Sequence, residues 1–188
     1  MQSKFMRSLA LAPLVFCGAA AAHPGHNGGA LAGLMHPLLG ADHLLAMLAV
    51  GVWAAQMGGR ARWLLPTSFL ALLALGGVLG MEGVALPMIE GGIATSVLLL
   101  GLLIAFAVKL PATLGAAMVG MFAVFHGVAH GSEMPALSTA WQYGLGFVAS
   151  SAALHALGVR LGDATRQHGQ WLRAAGAAIT LCGVWMAV

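Results

Sequence analysis

Two short stretches carry most of the chemistry this chain could perform. The first, HPLLGADHLLAM, runs from His36 to Met47 and sets His36, Asp42 and His43 in an apolar run. The second, FHGVAHGSEMP, runs from Phe125 to Pro135 and contributes His126, His130 and Glu133. Imidazole nitrogen and carboxylate oxygen are the common ligands of divalent first-row metals. His36 and His43 lie seven residues apart, so an unbroken helix puts both rings on one stripe. Asp42 then sits about 100° round from His43, able to share a site or to orient the imidazole. Pro37 removes a backbone N–H, so the helix either starts there or is broken there. A break would expose carbonyls beside the histidines, an arrangement that transporters use for ions. In the second stretch His126 and His130 share one helical face, and Glu133 joins it if the helix continues. Gly127 and Gly131 leave room there for another helix or an ion.

These groups belong to a chain with very few of their kind. Of 188 residues, 60% are hydrophobic and 7% charged, and the mean hydropathy is +0.92. Soluble domains carry about 25% charged residues, so the composition predicts an all-α integral membrane protein. A carboxylate at the centre of a span costs about 2.5–3.5 kcal/mol on insertion scales. Asp42 must therefore face the protein interior or a wet cavity.

Residues 1–22 read as a cleavable signal peptide: Lys4 and Arg7 precede an apolar stretch that ends in Ala20, Ala21 and Ala22. Residues 23–29 then form an exported tail bearing His23 and His26, and residues 30–188 a six-helix transmembrane domain. The expected spans are about 30–55, 63–80, 88–108, 111–129, 140–158 and 171–188, each near the length a bilayer requires. An exported start places the links after the first, third and fifth spans in the cytoplasm. Those links and their flanks hold Arg60, Arg62, Lys109, Arg160, Arg166 and Arg173, while the outer links hold Glu82, Glu90 and Glu133. This is the positive-inside pattern, and it predicts a bacterial inner-membrane protein with both mature termini in the periplasm. Trp53, Trp63, Trp141, Trp171 and Trp185 fall near span ends, where indole favours the interface. The 27 glycines read mainly as close-packing positions between helices. Cys182, in a late apolar run, reads as a small buried side chain. No Gly-rich phosphate loop of the Walker type is present, so the chain carries no ATPase of its own.

Other histidines have two readings each. His155 is either a packing residue or a step on an ion's inward route, and His168 lies in a polar link. Met35, Met47, Met121 and Met134 read as apolar filler rather than soft ligands. An amino-terminal His23 offers amine and ring together to a metal. A cut two residues earlier would expose Ala-Ala-His, which suits square-planar Ni(II) or Cu(II). The tail is thus either an ion collector or a disordered leader to the first span.

The two histidine motifs, the signal and the six following spans together resemble the HupE/UreJ family of nickel and cobalt permeases, across essentially the whole mature chain. The resemblance implies a permease supplying nickel to hydrogenase or urease, or cobalt for cobalamin synthesis. It implies functional roles for His36, Asp42, His43, His126, His130 and Glu133. The first motif also resembles the H-x4-D-H signature of a different nickel/cobalt transporter family, with one extra residue of spacing here. The expectation is therefore a non-enzymatic permease with no permanently bound cofactor, whose partners are a divalent metal, Ni(II) or Co(II), and the lipid bilayer. Nucleic acid is not among them, and the sequence leaves open a homo-oligomer and a downstream metallochaperone. One rival is a membrane metalloenzyme or haem protein, against which stands the lack of H-E-x-x-H and C-x-x-C-H. Another is a sensor or assembly subunit that binds metal without moving it.

Overall fold

The computed structural model describes residues 29–134 and 139–188. The signal peptide, His23 and His26 lie outside the described residues. Those described form seven helices and no strand: α1 (Ala30–Leu39), α2 (Ala41–Met57), α3 (Ala61–Met81), α4 (Ile89–Ala105), α5 (Ala112–Ser132), α6 (Ala140–Ala164) and α7 (Gly169–Met186).

The first expected span is two helices, bent by 81° at Gly40. Pro37 sits inside α1 and cannot donate to the preceding turn. Three residues later Gly40 turns extended, with φ −85° and ψ 120°, and α2 begins afresh. Helices α3, α5 and α6 are each long and apolar enough to cross a membrane, and the bent pair makes a fourth candidate. Helix α4 is apolar but has 17 residues. Helix α7, with 18, carries Gln170 and Arg173 near its start. Leu75, Leu99, Leu145, Leu157 and Leu181 are exposed along the helices, as lipid-facing leucines would be.

Glycine seams join the helices in pairs. Helices α3 and α5 run side by side in the same direction. A Cβ on Gly76 would strike Val124 and Gly127, and one on Gly80 would strike Val128 and Ser132. Helices α2 and α6 are likewise parallel, with Gly51 against His155 and Val159 and Gly162 against Val52 and Ala55. Helices α4 and α7 run oppositely, Gly101 meeting Gly176 and Thr180 while Gly183 meets Leu98. These directions alternate along the chain, which brings the links after α2, α4 and α6 to one end of the bundle. At that cationic end Arg62 forms a two-pronged ion pair with Asp163, tying the start of α3 to the end of α6. A cavity of about 420 Å³ there is lined by Gln56, Lys109, Arg166, Gln170 and Arg173. Its three cationic side chains make it a poor seat for a metal cation.

Trp53 corrects the interfacial expectation. It is fully buried, and its indole N–H donates to the Val108 carbonyl at 2.9 Å. Its ring fits because Gly115 has no side chain: a Cβ there would approach it to 3.3 Å. Trp63, Trp141 and Trp185 are exposed as expected, and Cys182 is buried in the core.

The α3–α5 seam yields a direct test. A Cβ on Gly127 would collide with the Leu73 carbonyl and come within 2.8 Å of Gly76 Cα, whereas Gly144 has nothing within 4 Å. Overpacking of this kind costs about 1–3 kcal/mol. Gly127→Ala should lower the thermal unfolding midpoint of the detergent-purified protein, and Gly144→Ala should leave it unchanged or raise it.

Candidate metal centre

The helix break positions the first motif. His36 lies one turn before the end of α1, while Asp42 and His43 occupy the first turn of α2. The second motif ends α5: His130 falls in the last turn, and Glu133 caps the helix with its N–H on the Ala129 carbonyl at 3.2 Å. The helix stops at Ser132, yet Glu133 still reaches back to His130.

The side chains from both motifs converge. His36 Nε2 is 2.7 Å from His130 Nδ1. Glu133 Oε2 lies 3.4 Å from the same His130 nitrogen. Asp42 Oδ1 is 3.2 Å from His43 Nδ1. The His43 ring centroid stands 3.9 Å from that of His130 and 4.9 Å from that of His126. Two triads, His36–His130–Glu133 and Asp42–His43–His130, each bring one ligand atom per residue within 4.8 Å of the others and could hold an ion. His130 belongs to both.

Burial sharpens the chemistry. His43 and His126 are fully buried and His130 nearly so, while Glu133 is exposed. His126 Nδ1–H donates to the Phe122 carbonyl at 2.9 Å, which leaves the Nε2 lone pair without a partner. His130 Nε2 and both His43 ring nitrogens also lack an aligned hydrogen bond. Buried polar atoms are rarely left so, and here they gather around one point. At the exposed rim, donation from His130 holds the Glu133 carboxyl below its usual range, keeping it anionic.

Five of the six expected described residues fall within the triads. His126 stands beside the cluster but outside both. Gly127 and Gly131 serve the α3 backbone, at Leu73 and Gly77, rather than an ion. Met121 points outward, and Met47 lies in the core.

An aromatic wall escaped the motif reading. Phe147 stacks on His130 with centroids 5.6 Å apart and lies 5.7 Å from His36 and 5.8 Å from His43. Tyr143 stacks on Phe147 at 6.1 Å. Phe69 closes the other side, 5.9 Å from His126. The stretch YGLGF, 143–147, held the signal: two aromatics four residues apart share a helical face.

Comparison with known proteins points one way. The family described as HupE / UreJ protein matches residues 10–186. Protein HupE of Rhizobium leguminosarum bv. viciae is 49% identical over 181 residues, covering 95% of each chain. No solved structure matches this chain.

Proposed function

The chain belongs to the HupE/UreJ family, and from that premise we propose that it is a six-span inner-membrane permease for a divalent transition metal, Ni(II) foremost and Co(II) next. The observation that carries this reading is the shared imidazole. Two ligand triads from opposite helices meet at His130, and the Nε2 atoms of His43, His126 and His130 have no hydrogen-bond partner there. Imidazole suits nickel, cobalt, copper and zinc alike, so the preference for nickel rests on the family.

The arrangement supports a stepwise entry. The exposed, anionic Glu133 with His36 and His130 forms the outer triad, where an incoming ion exchanges part of its water shell. His130 is also a ligand of the buried triad with Asp42 and His43, so the ion moves inward without being released. The carbonyl ends of α1 and α5 carry partial negative charge and favour a cation at this level. With the cationic end of the bundle in the cytoplasm, as positive-inside orientation requires, the cluster lies toward the periplasm. A doubly charged ion gains about 4.6 kcal/mol on crossing to an interior 100 mV negative. Facilitated diffusion therefore suffices, and the imported metal would supply a metalloenzyme such as hydrogenase or urease. The tail histidines His23 and His26 would collect ions outside, and a metallochaperone would receive them within.

Uptake by proteoliposomes containing only this protein, with an inside-negative potential, tests the reading. Saturable entry of Ni(II) or Co(II) is expected, lost in the His36→Ala/His126→Ala double variant. A correctly folded protein that admits no more metal than empty liposomes would overturn the permease. Equilibrium Ni(II) titration of the purified protein gives a second test. His130→Ala should weaken binding more than His36→Ala or Glu133→Ala, by about tenfold or more, because it dismantles both triads. Equal losses in all three variants would contradict the shared-ligand arrangement.

A further inference from the structure

Helix α6 carries a stripe that the outer cluster does not use up. Tyr143, Phe147, Ser151 and His155 recur every fourth residue, and all four are buried. The first two wall the metal cluster. The last two lie deeper, and their polar atoms are unmet: Ser151 Oγ and both ring nitrogens of His155 have no hydrogen-bond partner. Spacing of four residues puts Ser151 and His155 on neighbouring turns of one face.

Depth follows from the α2–α6 seam. His155 packs level with Gly51, eight residues beyond His43 on α2, or about 12 Å further along the helix. Between the two levels stands Phe69. Its ring is 5.9 Å from His126 and 5.1 Å from His155, edge-on to the latter at 78°. An imidazole kept for packing would normally find one partner for its N–H or its lone pair. This one has neither, though it is flanked by a hydroxyl on its own face and by an aromatic ring that separates it from the outer histidines.

We infer that His155, with Ser151, forms a second and transient station for the divalent cation on the inner side of Phe69. This rests on the permease reading. His155 offers one nitrogen and Ser151 an oxygen, and the ion's remaining positions keep water. So few protein ligands bind weakly, as the last site before release must. The outer triads, with more ligands and a carboxylate each, hold the ion more firmly and set the affinity.

Ligand-dependent rescue separates this role from packing. His155→Ala, His155→Leu and His155→Cys would be reconstituted alongside wild type, with equilibrium Ni(II) binding measured on each as a check that the outer site is intact. The Ala and Leu variants should bind Ni(II) as wild type does but lose about tenfold or more of maximal uptake rate, with little change in the concentration for half-maximal entry. His155→Cys restores a metal ligand without restoring the ring, and should recover most of the rate and shift preference toward Cd(II). Wild-type uptake by His155→Leu, or no recovery by Cys relative to Ala, would overturn the inner station and leave the permease standing. Wild-type protein that binds Ni(II) but admits none would overturn both. Should the His155 variants misfold, Ser151→Ala, a smaller change on the same face, is expected to slow entry severalfold, and its full activity would count against the station.

Discussion

An unpaired polar atom is costly in apolar surroundings, and that constraint governs this structure. A buried polar atom left without a partner costs about 1–3 kcal/mol. Most polar groups in this bundle comply locally. Thr67, Ser96, Ser132 and Thr180 hydroxyls donate to carbonyls three or four residues back in their own helices. The histidines do not. His43, His126, His130 and His155 retain unpartnered nitrogens, though a leucine at any of these places would avoid the cost. Retaining imidazole in apolar surroundings is intelligible if the missing partner is a visiting ion.

The helix break at Gly40 makes the outer cluster electrostatically consistent. An intact helix would keep His36 and His43 on one stripe, but its backbone would offer an ion little, since every carbonyl but the one opposite Pro37 would be engaged. Breaking it frees the last carbonyls of α1 and the first N–H groups of α2. The freed carbonyls favour a cation and the freed N–H groups oppose one. Asp42 stands in the first turn of α2, the position at which a carboxylate offsets the positive helix end, worth about 0.3–1 kcal/mol or more when partly buried. One residue thus stabilises the new helix start, lies against His43 and supplies negative charge to the site.

The candidate ligands are legible in the sequence because polar residues are conspicuous in apolar runs. His36, Asp42, His43, His130 and Glu133 could be read from type and spacing alone. Burial could not be read the same way. Trp53 and Trp63 look alike in a string, each close to a span end, yet one is enclosed by Val108 and Gly115 and the other is exposed. That distinction depends on which helix lies beside which. The same ignorance hid Phe69 and Phe147, since phenylalanine in a membrane helix is unremarked until its ring is found against an imidazole. The site of the break also escaped reading, because Pro37 marks a weakened turn while the chain changes direction at Gly40, where an extended conformation is reached most cheaply.

Glycine placement ultimately decides whether the cluster exists. His36 and His43 descend on α1 and α2, whereas His126 and His130 ascend on α5, and no short loop joins these helices to fix their relative height. Height is fixed instead by contact through neighbours. The seam of Gly76, Gly80, Gly127 and Gly131 locks α5 to α3, and that of Gly51, Gly158 and Gly162 locks α2 to α6. Gly33 and Gly146 set α1 against the start of α6 in the same manner. At each seam a glycine meets a backbone that a side chain would strike, and these close contacts hold the observed register. A slip of a single turn would shift a ring by about 5.4 Å, more than the 4.8 Å within which the ligand atoms of each triad lie. The glycines carry no ligand atom, yet a one-turn error at any seam would leave the histidines as separate buried rings, too far apart to share an ion.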